Sequence, residues 1–169
     1  MTAGLNMALL AHPKVGVSDV KGLVEKMKAN PGKLNYSSTG NGSFPHVAGA
    51  LLNLETDTQA EHLAYKGLAP SIQDLLAGVV DFTFDSGSAI HAKAGKLKAL
   101  AVIGPKRAAA LPDVPTFREV GLPELEKISG WHGVFAPAGT PDDVIRRLNA
   151  EINKSLKKPA SIERVQAMG

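Results

Sequence analysis

The sequence contains no cysteine, so disulfides, zinc ribbons and thiol catalysis are all excluded. Aromatic residues make up only 5% of its 169 residues, too few to provide stacking platforms for a single nucleic-acid strand. No run of five like charges occurs, and 19 basic against 16 acidic residues leave a net charge of +3. That mild excess suits a small anionic ligand and is not a nucleic-acid footprint. Long hydrophobic runs are missing too. The longest apolar stretch of the opening segment is Met7 to Ala11, and no basic residue precedes it. A membrane span needs about 18 apolar residues and a signal peptide about 7–15 behind a basic start. Taken as it stands, the chain is expected to be soluble and to carry no export signal. The remaining composition, 44% apolar and 21% charged, is that of a globular protein. At roughly 100–200 residues per domain, the length allows one domain or one and a fraction.

Helix and strand patterns alternate along the chain. Val20, Leu23, Val24 and Met27 recur at helical spacing behind a capping Ser18, and Asn30-Pro31-Gly32 ends that helix. Leu34–Tyr36 reads as a short strand running into the small, polar segment Ser37–Ser43. Val47, Ala50, Leu51 and Leu54 mark the next helix. His62–Tyr65 reads as a strand, followed by a helix with Pro70 in its first turn and Ile72, Leu75 and Leu76 facing inward. Val79–Phe84 and Leu97–Ile103 are two further strands, separated by a short helix over Ala89–Ala94. Proline-rich coil fills Leu111–Pro115, Thr116–Val120 is a possible helical turn, and Gly133–Ala136 reads as a last strand. The final helix is expected from an N-cap at Thr140, with Pro141 at N1 and a buried stripe of Ile145, Leu148, Ile152 and Leu156. Such alternation predicts an α/β fold with a largely parallel sheet.

The polar segment Ser37–Ser43 carries the most chemistry. It leaves a strand and opens a helix, where orphan N–H donors and the positive end of the helix dipole favour a carboxylate or phosphate. It lacks the GK[ST] of a Walker loop, and Pro45 stands where a dinucleotide fingerprint needs glycine. A plain polar turn with a serine cap is the alternative. Tyr65-Lys66-Gly67 is a second strand-to-helix loop of the same kind. Asp85 ends a strand at the level where a ligand lies in an open α/β sheet, on the same side as Asp81. The histidines (12, 46, 62, 91 and 132) show no metal-binding spacing, so no metal or cofactor is expected. His46 packs on its helix or touches the polar loop, and Trp131 reads as a core residue near the Gly130 turn. There is no G-x-S-x-G elbow.

Six phrases occur in order: PGKLNYSSTGNGSFPHVAGALL, YKGLAPSIQDLLAGVVDFTFD, AGKLKALAV, RAAALPDVPTFREVGLPE, WHGVFAPAGTP and VIRRLNAEINKSLKKP. Together they resemble the Bug family, the extracytoplasmic solute receptors of the tripartite tricarboxylate transporter system. The resemblance runs from about Leu9 to Gly169. It implies a type II periplasmic-binding-protein fold, two α/β lobes closing over a small organic acid such as a di- or tricarboxylate. It also implies that the protein is no enzyme but hands its ligand to membrane permease subunits, in the periplasm and without nucleic acid. Carried over by position, Ser38, Thr39, Gly40, Gly42, Ser43, His46, Lys66, Gly67 and Asp85 are the expected ligand-binding residues. The sequence departs from the family pattern at Ser37, Phe44-Pro45 and Ala64. Residues 13–124 correspond to the second lobe, and 1–12 and 125–169 to crossover and return segments of an incomplete first lobe. Those orphaned segments are expected to favour a homo-oligomer. The competing readings are a small α/β hydrolase or phosphoryl-transfer domain using the Thr39–Ser43 loop, and a non-exported interaction domain with a vestigial loop.

Overall fold

The computed structural model describes residues 4–5, 7–87, 89–128, 130–131 and 133–168. In chain order these form β1 (Gly4–Leu5), β2 (Met7–Ala11), α1 (Val20–Ala29), β3 (Asn35–Ser38), α2 (Phe44–Thr56), β4 (Glu61–Ala64), α3 (Leu68–Leu76), β5 (Phe82–Asp85), α4 (Ala89–Lys93), β6 (Lys98–Ile103), β7 (Gly130–Trp131), α5 (Asp142–Leu156) and α6 (Pro159–Met168). Short 3-10 turns occupy Pro13–Val15 and Pro123–Lys127.

Five strands make one mixed sheet in the order β4-β3-β5-β2-β6. β3 lies parallel to both β4 and β5, whereas β2 runs antiparallel to β5 and β6. The expected α/β fold is present. Its sheet is parallel except for β2, a strand the sequence analysis did not assign. Every residue of Met7–Ala11 is buried, because Met7, Leu9 and Ala11 face one helical layer and Ala8 and Leu10 face the other. A strand covered on both faces loses polar alternation and becomes a bare apolar run.

Helices cover both faces. The first layer packs α1 and α2 against Leu9, Tyr36, Phe82, Phe84 and Ala101. The second packs α3 and α4, through Ile72, Leu75 and Ala89, against Leu10, Val80 and Val102. Gly49 permits the first layer to close, since a Cβ there would lie within 3.0 Å of three Tyr36 ring atoms. Beyond β6 the coil is pinned by a bridge between Val102 and Thr116. There Glu119 takes a forked pair of bonds from Arg107 (2.9 and 3.1 Å) and the Thr116 N–H (2.7 Å). This clamp holds the Glu119 carboxyl well below the usual range, at about 2.

Several local expectations need correction. α1 is capped by Asp19, whose Oδ1 accepts the Gly22 N–H at 2.7 Å, and Ser18 merely donates to Asp19. Thr116–Val120 is a hydrogen-bonded turn. Gly133–Ala136 forms no strand, because no ladder partner lies alongside; β7 precedes it and pairs with β1. Thr140 does not cap α5: its hydroxyl donates to the Pro137 carbonyl at 2.8 Å, and Pro141 takes the cap position. The α5 stripe is not buried within this chain. Ile145, Leu148, Ile152 and Leu156 are 36–48% exposed. The Trp131 side chain and His132 lie outside the described residues. No described helix is long and apolar enough to cross a membrane.

Candidate functional site

The loops after β3, β4 and β5 leave the same edge of the sheet, since these strands are parallel. α2 then descends on one face, whereas α3 and α4 lie on the other. The chain therefore diverges between β3 and β5, the place where an open α/β sheet leaves a crevice outside the carboxyl ends of its strands. This is the switch point at which open α/β sheets bind ligands. Ser37 pairs with Thr83; Thr39 follows the end of β3, and Asp85 is the last residue of β5.

The β3 loop is shaped from within. The Ser38 hydroxyl takes the Gly40 N–H at 3.1 Å and lies 2.6 Å from His62 Nε2. Its side chain is closed off, at 1% exposure. Ser43 donates through its hydroxyl to the Gly40 carbonyl at 2.7 Å, and its N–H reaches the same oxygen. His46, one turn into α2, accepts the Gly42 N–H on Nδ1 at 2.9 Å, so that nitrogen carries no proton. Gly40 and Gly42 hold φ of +137° and +75°, conformations that a side chain at either place would strain. The β4 loop is tied to the β3 loop by the Tyr65 N–H, which donates to the Ser38 carbonyl at 2.9 Å.

What this folding leaves free is informative. Ser43 is the N-cap of α2 but makes no side-chain cap bond, and Pro45 has no N–H to satisfy. The Phe44 and His46 N–H groups therefore end without an acceptor among the described residues. Half-buried Thr39, exposed Asn41 and exposed Lys66 have no side-chain partner among the described residues. Free N–H groups at the start of a 13-residue helix, beside a hydroxyl, an amide and an ammonium, are donors of the kind that favour an oxyanion. Gly67, at φ +113°, opens α3 with nothing near its Cα face. Asp85 is only 6% exposed, and its Oδ2 has no hydrogen-bond partner.

Of the sequence-predicted residues, Thr39, Gly40, Gly42, Ser43 and His46 gather on one loop and helix start. Lys66 and Gly67 stand on the adjoining loop, and Asp85 at the next strand end. Sequence reasoning missed His62, whose ring stacks on His46 at 4.0 Å and packs against Tyr36 at 5.1 Å. Burial first, and His46 second, hold the His62 imidazole below the ordinary histidine range. It also missed Ser71, which donates to buried Ser37 at 2.8 Å and locks α3 beneath the loop. His62 sat in a strand pattern with no spacing to connect it to His46. Tyr65 donates to Asp74 at 2.7 Å; burial and that carboxylate push its phenol up to about 12. Among the described residues no cluster could hold a metal ion. A groove of about 550 Å³ runs past Gly16, Ser18, Asp19 and Lys21. It lies beyond the carboxyl end of antiparallel β2, at the other edge of the sheet, and Asp19 is spent there on capping.

A five-stranded α/β layer of this kind is the fold of about half of a periplasmic binding protein. The periplasmic binding protein BugD superposes with a TM-score of 0.93 at 32% identity, over 99% of this chain and 56% of that one. MatC from Rhodopseudomonas palustris with bound malate gives 0.93 at 29% identity, over 99% and 57%. A second R. palustris protein, solved with adipate, gives 0.92 at 29%, over 99% and 56%. In sequence, a UPF0065 protein from the tcbD–tcbE intergenic region of Pseudomonas sp. strain P51 is 41% identical over the whole chain and 51% of its own length. The profile of the tripartite tricarboxylate transporter family receptor matches residues 1–169, and the chain belongs to that family. The chain spans about half the length of the curated relatives it matches.

Proposed function

We propose that the crevice at the ends of β3, β4 and β5 is one wall of a binding site for a small organic acid, a di- or tricarboxylate. The protein would capture the acid in the periplasm for the permease subunits of a tripartite tricarboxylate transporter. The observation that carries this reading is the uncapped start of α2, where the Phe44 and His46 N–H groups and the Thr39 hydroxyl await an acceptor at the switch point. The similar proteins with malate and adipate support the ligand class. In this reading Thr39, Gly40, Gly42, Ser43, Lys66, Gly67 and Asp85 line the wall, while Ser38 and His46 hold the loop in shape. The reading is binding without catalysis. Although Ser38 Oγ lies 2.6 Å from His62, the hydroxyl is buried and no described carboxylate orients the His62 ring.

Residues 13–124, joined by β2, form the complete lobe of this proposal, and 125–169 return toward the other lobe. The exposed α5 stripe and the extended Val134–Phe135 segment fit that assignment, as surfaces made to be covered by it or by a second copy of the chain. One wall alone excludes little water, so the chain by itself should bind weakly.

The test is a nuclear magnetic resonance titration with malate and with adipate. The amides of Thr39–His46 should shift, and Thr39→Val should weaken binding by about tenfold, the worth of one hydrogen bond to a charged group. Shifts confined to other parts of the chain, with Thr39→Val silent, would place the site elsewhere.

A further inference from the structure

Asp85 is the one feature of the crevice that an oxyanion does not explain. A carboxylate beside a site for carboxylates repels its ligand unless something between them donates a hydrogen. Asp85 closes β5, and Thr39 follows the end of the neighbouring parallel strand β3. The exposure of Asp85 is only 6%, and its Oδ2 has no hydrogen-bond partner among the described residues. Its counterpart on the same strand differs. Asp81 takes the Asn35 N–H at 2.8 Å and pairs with Lys14 at 3.1 Å, which is how a buried carboxylate is normally satisfied. The Lys66 ammonium sits on an exposed loop and is not bonded to Asp85. A buried acceptor without a partner among the described residues, at the same end of the sheet as the free donors of α2, describes a ligand carrying both complements.

We propose that Asp85 selects organic acids that bear a hydroxyl or ammonium group next to the carboxylate, that is 2-hydroxy and 2-amino acids, over unsubstituted ones. This rests on the reading of the crevice as a carboxylate site. The ligand carboxylate takes the α2 N–H groups and Thr39, and the donor on the adjacent carbon turns to Asp85. An unsubstituted dicarboxylate would instead leave Asp85 unsatisfied and facing a like charge.

The experiment compares malate, L-aspartate and succinate by the same amide-shift titration, in the wild type and in Asp85→Asn. Asparagine keeps the shape and removes the charge, and no hydrogen bond of Oδ2 to another described residue is lost. The wild type should prefer malate and aspartate to succinate by about tenfold, the ratio one charged hydrogen bond supplies. In Asp85→Asn that preference should collapse, with succinate binding more tightly than before. Equal affinity for all three in the wild type overturns the role of Asp85 while leaving the carboxylate site standing. A preference that persists in Asp85→Asn overturns it equally. If none of the acids moves the Thr39–His46 amides, the carboxylate reading fails and this inference falls with it. The wild-type comparison needs no variant, so misfolding of Asp85→Asn cannot mask the answer.

Discussion

The imidazoles of His46 and His62 lie face to face, 4.0 Å between centroids and 16° from parallel, one on helix α2 and one on edge strand β4. Each ring also holds the loop after β3, His46 through the Gly42 N–H and His62 through Ser38 Oγ. Two imidazolium ions cannot share that stack without repulsion. The pair therefore couples the shape of the loop to its protonation.

The consequence is a defined pH window. The folded-state value of His62 is depressed below 6.5, chiefly by burial and then by His46. The folded state thus binds fewer protons than the unfolded one. His62 contributes stability that is present above 6.5 and lost as pH falls through the depressed value. Urea midpoints should fall between about pH 7.5 and pH 5.5, and fall less in His62→Gln. A midpoint that stays level across that range in the wild type would contradict the assignment.

Gly49→Ala should destabilise the protein, against the usual trend. In an exposed helix interior that change gains about 1 kcal/mol. Here the new Cβ lands within 3.0 Å of the Tyr36 ring, which is itself stacked on Phe82 and packed against His62. Overpacking of that kind costs about 1–3 kcal/mol. Chemical denaturation decides by the sign alone, since a more stable variant would mean the ring moves aside freely.

A different acid window belongs to Glu119. Its folded-state value is held at about 2, mainly by the Arg107 fork and then by the Thr116 N–H. A depressed carboxylate contributes stability above its unfolded value, near 4.5, that is lost as pH falls toward 2. Glu119→Gln should leave a flatter stability profile across that interval, measured by circular dichroism. Both partners are exposed, so the effect at neutral pH should be small.

How much of this was legible beforehand varies by element. The α1 stripe was readable because Val20, Leu23 and Met27 meet a single core face, and all three are buried. The Ser37–Ser43 segment was readable as a strand-to-helix turn because its glycines and hydroxyls interrupt both the strand and the helix patterns. Strand β2 was not. MALLA has no alternation and no turn signal before it, since its neighbours, β5 and β6, come much later in the chain. The partners of Ser38 were equally hidden. A serine's hydroxyl is free or spent according to a histidine 24 positions away, and no local pattern records it. For α5 the periodicity was plain, but periodicity shows that a face is to be covered and not what covers it.

The position of β2 between β5 and β6 also sets the order in which the molecule can assemble. Met7–Ala11 leaves the ribosome before either neighbour exists. It must wait on the order of ten seconds at ordinary translation rates until Ile103 has followed it. Until β5 has emerged this five-residue apolar strand has no ladder partner, and only α1, α2 and α3 are there to cover it. Parallel β3 and β4 can pair meanwhile; β2 then joins β5, and β6 adds last at the free edge of β2. Nascent chains stalled before β5 should therefore be bound by chaperones at this segment, and those extended past β6 should be released.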